Sequence, residues 1–220
     1  MKQKIIIFIG CLLAISLMTA DSFAGGKNYK VSITNITSGQ TFTPIMIATH
    51  KNGIKLFTPG SPSSTELAML AEGGDTAPLT ESLLMNPGVG HVMTTGGLLG
   101  PGETVVVEIP SHRSYGYISL AAMLLPTNDG FIALNGVMAP GGHHTAMLSP
   151  AYDAGSELND ESCVNIPGPF ECDGTGTGYS PDDGEGYVHI HGGIHGIGDI
   201  DPAVYDWKNP VARIEIKRSR

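Results

Sequence analysis

The stretch Tyr115-Gly116-Tyr117-Ile118-Ser119-Leu120-Ala121-Ala122-Met123-Leu124-Leu125 leads through Pro126-Thr127-Asn128-Asp129-Gly130 into Phe131-Ile132-Ala133-Leu134-Asn135, and its reading decides the fold. The first part is the most apolar run after the N-terminal segment. It carries no charge, which predicts a central strand buried at least in part on both faces. Asn128-Asp129-Gly130 has hairpin-turn chemistry, and the apolar run beyond it reads as the returning strand. Asp129 is therefore expected on an end loop, where a sandwich carries its ligands.

Upstream, Val31, Ile33 and Ile36 alternate with polar residues from Tyr29 onward, the pattern of a half-buried strand. Residues 44–49 read as a second strand and 53–57 as a short, edge-like third, with Asn52-Gly53 as the turn between them. Ser63-Ser64-Thr65-Glu66 is a capping box opening a helix through Leu67, Leu70 and Ala71, and Gly73-Gly74 supplies a left-handed stop. A second short helix is predicted over 78–85. Strands resume at Val92-Met93-Thr94 and over 103–109. Further on, Met147-Leu148-Ser149-Pro150 reads as loop, 171–186 as a long loop with too few apolar residues to pack, and 186–191 and 211–217 as strands. Together these predict an all-β, antiparallel β-sandwich with a short helical insertion capping one end of a sheet.

The N-terminus predicts export. Lys2 and Lys4 precede an apolar run over 5–18, and Ser22-Phe23-Ala24 fits small-residue cleavage, so 1–24 reads as a signal peptide and 25–220 as one domain. Too little apolar sequence precedes Cys11 for a lipoprotein site. No transmembrane segment is expected in the mature chain, which is periplasmic or secreted. Acidic residues outnumber basic ones 21 to 12, for a net charge of −9, which excludes nucleic acid as a natural partner. Cys163 and Cys172 are an even pair in an exported chain and read as a disulfide clipping a surface loop. Free thiols, or a metal site completed by histidines, are the alternatives, although the spacing fits no zinc ribbon.

Between Arg113 and Lys208 there is no Lys or Arg, while Asp129, Asp153, Glu157, Asp160, Glu161, Glu185 and Asp199 are among the carboxylates that fall there. Such a segment hydrates its carboxylates, borrows distant cations or binds metal. Within it, Ala151-Tyr152-Asp153-Ala154-Gly155-Ser156-Glu157-Leu158-Asn159-Asp160 offers two carboxylates four residues apart around a glycine, with oxygen donors on Ser156, Asn159 and Asp160. A loop of this kind suits calcium, which takes several oxygen ligands and needs a backbone free to wrap. A solvated acidic face is the plain alternative.

Pro126-Thr127-Asn128-Asp129-Gly130-Phe131, Tyr152-Asp153-Ala154-Gly155-Ser156-Glu157 and Asn209-Pro210-Val211-Ala212-Arg213-Ile214-Glu215-Ile216-Lys217 together resemble the spondin domain of extracellular matrix proteins. Ser64-Thr65-Glu66-Leu67-Ala68-Met69-Leu70-Ala71-Glu72-Gly73-Gly74-Asp75-Thr76 resembles that family's helical insertion. The resemblance implies a C2-like sandwich and a calcium ion held by Asp129, Asp153 and Glu157. Two departures stand out: Gly130 replaces the family's aromatic, and Glu157 stands where an aspartate is usual. Its longer side chain still ligates, and Asn159 or Asp160 are substitutes.

A second constellation is His189, His191 and His195 with Asp199 and Asp201. His189 and His191 alternate on a strand and share a face, and Gly192-Gly193 permits a turn that returns His195. Three histidines with a carboxylate suit zinc or copper, against a plain reading as hydrogen-bonding surface histidines. Trp207 reads as a packing anchor. His143-His144 reads as loop. No nucleophile elbow or phosphate cradle is present, so no enzymatic activity is expected. The sequence thus predicts an exported, non-catalytic calcium-binding interaction or adhesion module. Its partner would be an extracellular or envelope protein or a polysaccharide. A transition-metal-binding protein or metalloenzyme using the three histidines is the alternative.

Overall fold

A computed structural model describes residues 27–112, 114–142, 144–168, 172, 176, 178–180 and 184–219. The predicted signal segment, His143 and much of the predicted 171–186 loop lie outside the described residues. In chain order the elements are β1 (Lys27–Asn35), β2 (Thr41–Phe42), β3 (Met46–His50), α1 (Thr65–Gly73), α2 (Ala77–Leu84), β4 (Val89–Thr94), β5 (Thr104–Ser111), β6 (Tyr117–Leu125), β7 (Gly130–Met138), β8 (Thr145–Ser149), β9 (Ala151–Asp153), β10 (His189–Ile190), α3 (Pro202–Tyr205) and β11 (Ala212–Arg218). The fold is a β-sandwich with a short helical insertion, as the alternation predicts. One antiparallel sheet runs β5-β1-β11-β8, and the other runs β10-β9-β7-β6-β3-β4, with β2 added beside β6.

The apolar run of β6 lies at the centre of the larger sheet, paired with β3 on one side and β7 on the other. From Ile118 to Leu125 every residue of it is buried. Alternation along the strand explains why it has no polar face. Ile118, Leu120, Ala122 and Leu124 point into the core between the sheets, where they meet Val31, Ile33, Ile109, Ile214 and Ile216. Ala121 points the other way and joins Met46, Ala48, Phe131 and Ala133 beneath Leu67, Leu70, Leu79 and Leu83 of the two helices. The helical insertion therefore roofs a second core. Helix α1 begins at Ser64, whose hydroxyl accepts the Leu67 amide at 3.2 Å, and stops at Gly74 in the left-handed region.

Two local expectations change. Residues 53–57 do not form a strand, because both edges of β3 are already taken by β4 and β6. The segment instead crosses the helical side, where Leu56 and Phe57 are buried. Asn135 pins it there, accepting the Leu56 amide at 2.8 Å and donating to the Phe57 carbonyl at 2.8 Å. Conversely, the predicted loop at 147–150 is mostly strand: β8 pairs with β11, and β9 then crosses to pair with β7 in the opposite sheet. Ser149 marks that crossing, its hydroxyl bridging the Ala133 amide and carbonyl at 3.1 and 3.0 Å.

Cys163 and Cys172 form a disulfide. Trp207 is buried in the inter-sheet core, its ring 5.0 Å from that of His191, as expected of a packing anchor. No helix among the described residues is long and apolar enough to cross a membrane.

Truncating a side chain in the inter-sheet core removes contacts that the rigid sheets cannot fully replace. Leu120→Ala is expected to lower unfolding free energy by about 2–5 kcal/mol. Val106→Ala, at an exposed position on β5, should stay within about 0.5 kcal/mol. Urea denaturation of both variants checks the difference.

Candidate metal centre

Asp153, the last residue of β9, lies between two partners in register. Gly130 of β7 faces it on one side and His189 of β10 on the other. Directly paired residues put their side chains on one face, so Asp153 and His189 meet, with Asp153 Oδ1 3.5 Å from His189 Nε2. Two residues on, His191 shares that face, and its Nε2 lies 4.0 Å from Asp153 Oδ2. Glu185 completes the group, its Oε2 lying 3.8 Å from His189 Nε2. Asp153, Glu185 and His189 each bring one donor atom within 4.8 Å of the others. Asn159 sits between the two carboxylates, its amide donating to Asp153 Oδ2 at 2.8 Å and to Glu185 Oε1 at 3.1 Å.

Close backbone packing makes this arrangement possible. Gly155 has φ +62°, and a Cβ there would lie 2.3 Å from the Tyr187 carbonyl oxygen, so only glycine lets residues 184–191 settle on the 153–157 loop. Gly130, where the spondin pattern has an aromatic, is equally confined. A Cβ would fall 2.5 Å from Thr127 Oγ1 and 3.1 Å from His191 Cδ2.

Asp129 precedes Gly130 and is completely buried. Its Oδ2 accepts the amides of Ser156 and Glu157 at 2.8 and 3.2 Å, while among the described residues its buried Oδ1 has no hydrogen-bond partner. Glu157 is 3% exposed, and Glu72, in the last turn of α1, is 1% exposed and accepts the Ser180 amide at 2.7 Å. Burial, and then the charge of Asp153, push Asp129 up to about 8. Burial, then Glu72 and Asp129, push Glu157 up to about 8 as well. Among the described residues no Lys, Arg or His forms an ion pair with Asp129 or Glu157. The three carboxylates implied by the resemblance therefore cluster electrostatically at one end of the sandwich, but the donor atoms that converge within 4.8 Å are those of Asp153, Glu185 and His189.

The other candidates separate from this group. Asp160 is committed to structure, receiving bonds from Asn128, Ser162 and Asn165. Glu161, also buried, fills a nest of backbone amides from His195, Gly196 and Ile197 at 2.5, 2.7 and 3.0 Å. His195 points there too, with its Nδ1 3.6 Å from Glu161 Oε1 and a side chain 63% exposed, so it does not join His189 and His191. Asp199 accepts the Cys163 amide and Asp201 caps α3. Glu185 and Glu72 were not among the candidates drawn from the sequence. Glu185 stands in a Gly- and Asp-rich stretch, where only its position four residues before His189 sets it apart. Glu72 shows as a lone carboxylate beside the apolar Leu70-Ala71.

The histidines differ in their surroundings. For His189, burial opposes the charged form, but its bond to the Ile190 carbonyl and the nearby Asp153, Glu185 and Asp129 raise its pKa overall. For His191, burial prevails and lowers it. Compared with protein-family models and with curated proteins, the chain matches neither.

Two outcomes follow. For Asp129 and Glu157 the folded pKa exceeds the unfolded value, so the folded state holds protons that the unfolded state releases, and stability falls as pH rises toward 8. His191 and His50, lowered by burial, oppose this slope only as their unfolded imidazoles take up protons toward about pH 6.5, while His189, raised by its bond to the Ile190 carbonyl and by its carboxylate neighbours, adds to it. In chelator, the melting temperature is therefore expected to rise on acidification from about pH 8 to 6.5, and Asp129→Asn should flatten that rise. Separately, Glu161→Ala strands three backbone amides and is expected to destabilise the chain by about 1–3 kcal/mol in urea.

Proposed function

We propose that this chain is an exported, non-catalytic interaction module whose end loops are ordered by calcium, as the resemblance to the spondin domain implies. The observation that carries the reading is Asp129 Oδ1, a fully buried carboxylate oxygen with no hydrogen-bond partner among the described residues, beside the buried Asp153 and Glu157. Buried like charges of this kind either take up protons or hold a cation. An all-oxygen donor set fits a hard ion, and Asp129, Asp153 and Glu157 would hold it. Bound there, calcium would supply positive charge to a sector, between Arg113 and Lys208, that has no Lys or Arg.

The functional consequence is mechanical. Asp129 belongs to the β6–β7 turn, Asp153 ends β9, and Glu157 lies on the loop beyond. A shared ion would fix these segments relative to one another and present an ordered acidic surface. The partner would be an extracellular or envelope protein or a polysaccharide. The disulfide, and the lack of any membrane-spanning helix among the described residues, agree with export to the periplasm or beyond.

Thermal unfolding in chelator, then with calcium or magnesium added, tests this. Calcium at about 100 times its Kd should stabilise the fold by about 2.7 kcal/mol through linkage. Magnesium should do far less, and Asp129→Asn and Glu157→Gln should abolish the calcium shift. An unchanged melting temperature at millimolar calcium would remove the proposal.

A further inference from the structure

We infer that the same end of the sandwich carries a second, nitrogen-containing cation site, formed by Asp153, Glu185 and His189 and suited to a transition-type divalent ion such as zinc. It shares only Asp153 with the calcium set and does not depend on it.

The tautomers make the case. His189 Nδ1 lies 3.0 Å from the Ile190 carbonyl oxygen, which only accepts, so Nδ1 carries the proton. The lone pair of neutral Nε2 then faces Asp153 Oδ1 and Glu185 Oε2 at 3.5 and 3.8 Å. Asp153 Oδ1 also accepts the Gly155 amide at 2.8 Å, and the remaining negative charge at this convergence is offset either by a proton on Nε2 or by a positive ion held among the three atoms. A divalent ion would neutralise the two carboxylates while accepting the imidazole nitrogen. The carbonyl behind Nδ1 is the outer-shell bond that orients a metal-binding histidine. The Asn159 amide already places positive hydrogens against both carboxylates, as a weak substitute for an ion.

His191 gives an independent sign. Its side chain is only 4% exposed, and its Nδ1 accepts the Gly193 amide at 3.1 Å, so neutral Nε2 carries hydrogen. That N–H lacks a hydrogen-bond partner among the described residues, yet is aimed at Asp153 Oδ2 from 4.0 Å. His191 is thus a positioning residue, set to hold the second oxygen of Asp153 when the first turns to a metal. An imidazole donor disfavours calcium and suits zinc, cobalt or nickel. The side chains of Glu185 and His189 are 34% and 27% exposed, which leaves the site reachable from solvent.

The test is isothermal titration of the chelator-stripped protein with zinc chloride in saturating calcium, alongside the visible absorption of the cobalt-loaded protein. One zinc per chain is expected. His191→Ala should weaken binding by about 10–100-fold, as outer-shell changes do. His189→Ala and Glu185→Gln should weaken it more, with the cobalt bands lost in His189→Ala, while His195→Ala changes nothing. Equal melting temperatures of the stripped variants would show that they fold, and the exposed Glu185→Gln keeps the test open if His189→Ala does not. Asp129→Asn should lose the calcium response but keep zinc, so the two sites fail separately. Zinc affinity unchanged in His189→Ala and Glu185→Gln, or one-for-one displacement of zinc by calcium, would overturn the assignment.

Discussion

A strand buried on both faces needs two different covers, and β6 dictates what they are. Its inward residues require a second sheet, which the β5-β1-β11-β8 ladder supplies. Its outward residues require another apolar surface, and α1 with α2 supply that. The end loops then inherit their positions. The β6–β7 turn leaves Asp129 at the sheet's end, β9 pairs beside β7 and delivers Asp153, and β10 pairs beside β9 and delivers His189. No separate device is needed to bring these side chains together, because consecutive antiparallel pairing does it. The precision of the site is the precision of the sheet.

Against that apolar frame, the acidic end is the place where local chemistry runs against burial. Two of its carboxylates are spent on the fold itself: Asp160 accepts amides from its own loop and Glu161 fills the backbone nest at 195–197. Both are satisfied by neutral donors, so neither calls for an ion. Asp129 differs because its buried Oδ1 has no hydrogen-bond partner among the described residues, and Asp153 differs because it lies in the group it forms with Glu185 and His189. A carboxylate spent on the fold and one left with a spare oxygen are thus told apart by where their hydrogen-bond partners lie, not by residue type or burial.

Much of this was legible in the sequence. The alternation of β1 and β5, the uninterrupted run of β6, and the capping serine and left-handed glycine of α1 are local signals written in single residues. Asp129 and Asp153 could be singled out because a turn and a glycine-centred loop announce themselves. What stayed hidden depends on partners distant in the chain. Residues 53–57 look like a strand, but no edge is left for them to join. Residues 147–150 look like a loop because the apolar Leu148 is exposed while the polar Ser149 is buried, and only pairing with β11 makes Thr145–Ser149 a strand. Glu185 and Glu72 escaped for the same reason, since each is distinguished by what lies opposite it in space.

The position of β11 has a consequence for how such a chain comes into being. It is the last strand in sequence, yet it lies inside its sheet, between β1 and β8. During synthesis β1 emerges before β5 and β11, and after pairing with β5 it must keep its other edge open until Ala212–Arg218 has followed. Over that interval β8 has no neighbour in its own sheet, and the inter-sheet core lacks Ile214 and Ile216. A chain interrupted anywhere before this strand therefore displays two unpaired edges and a half-open apolar interior, the features by which chaperones and proteases tell unfinished products from finished ones.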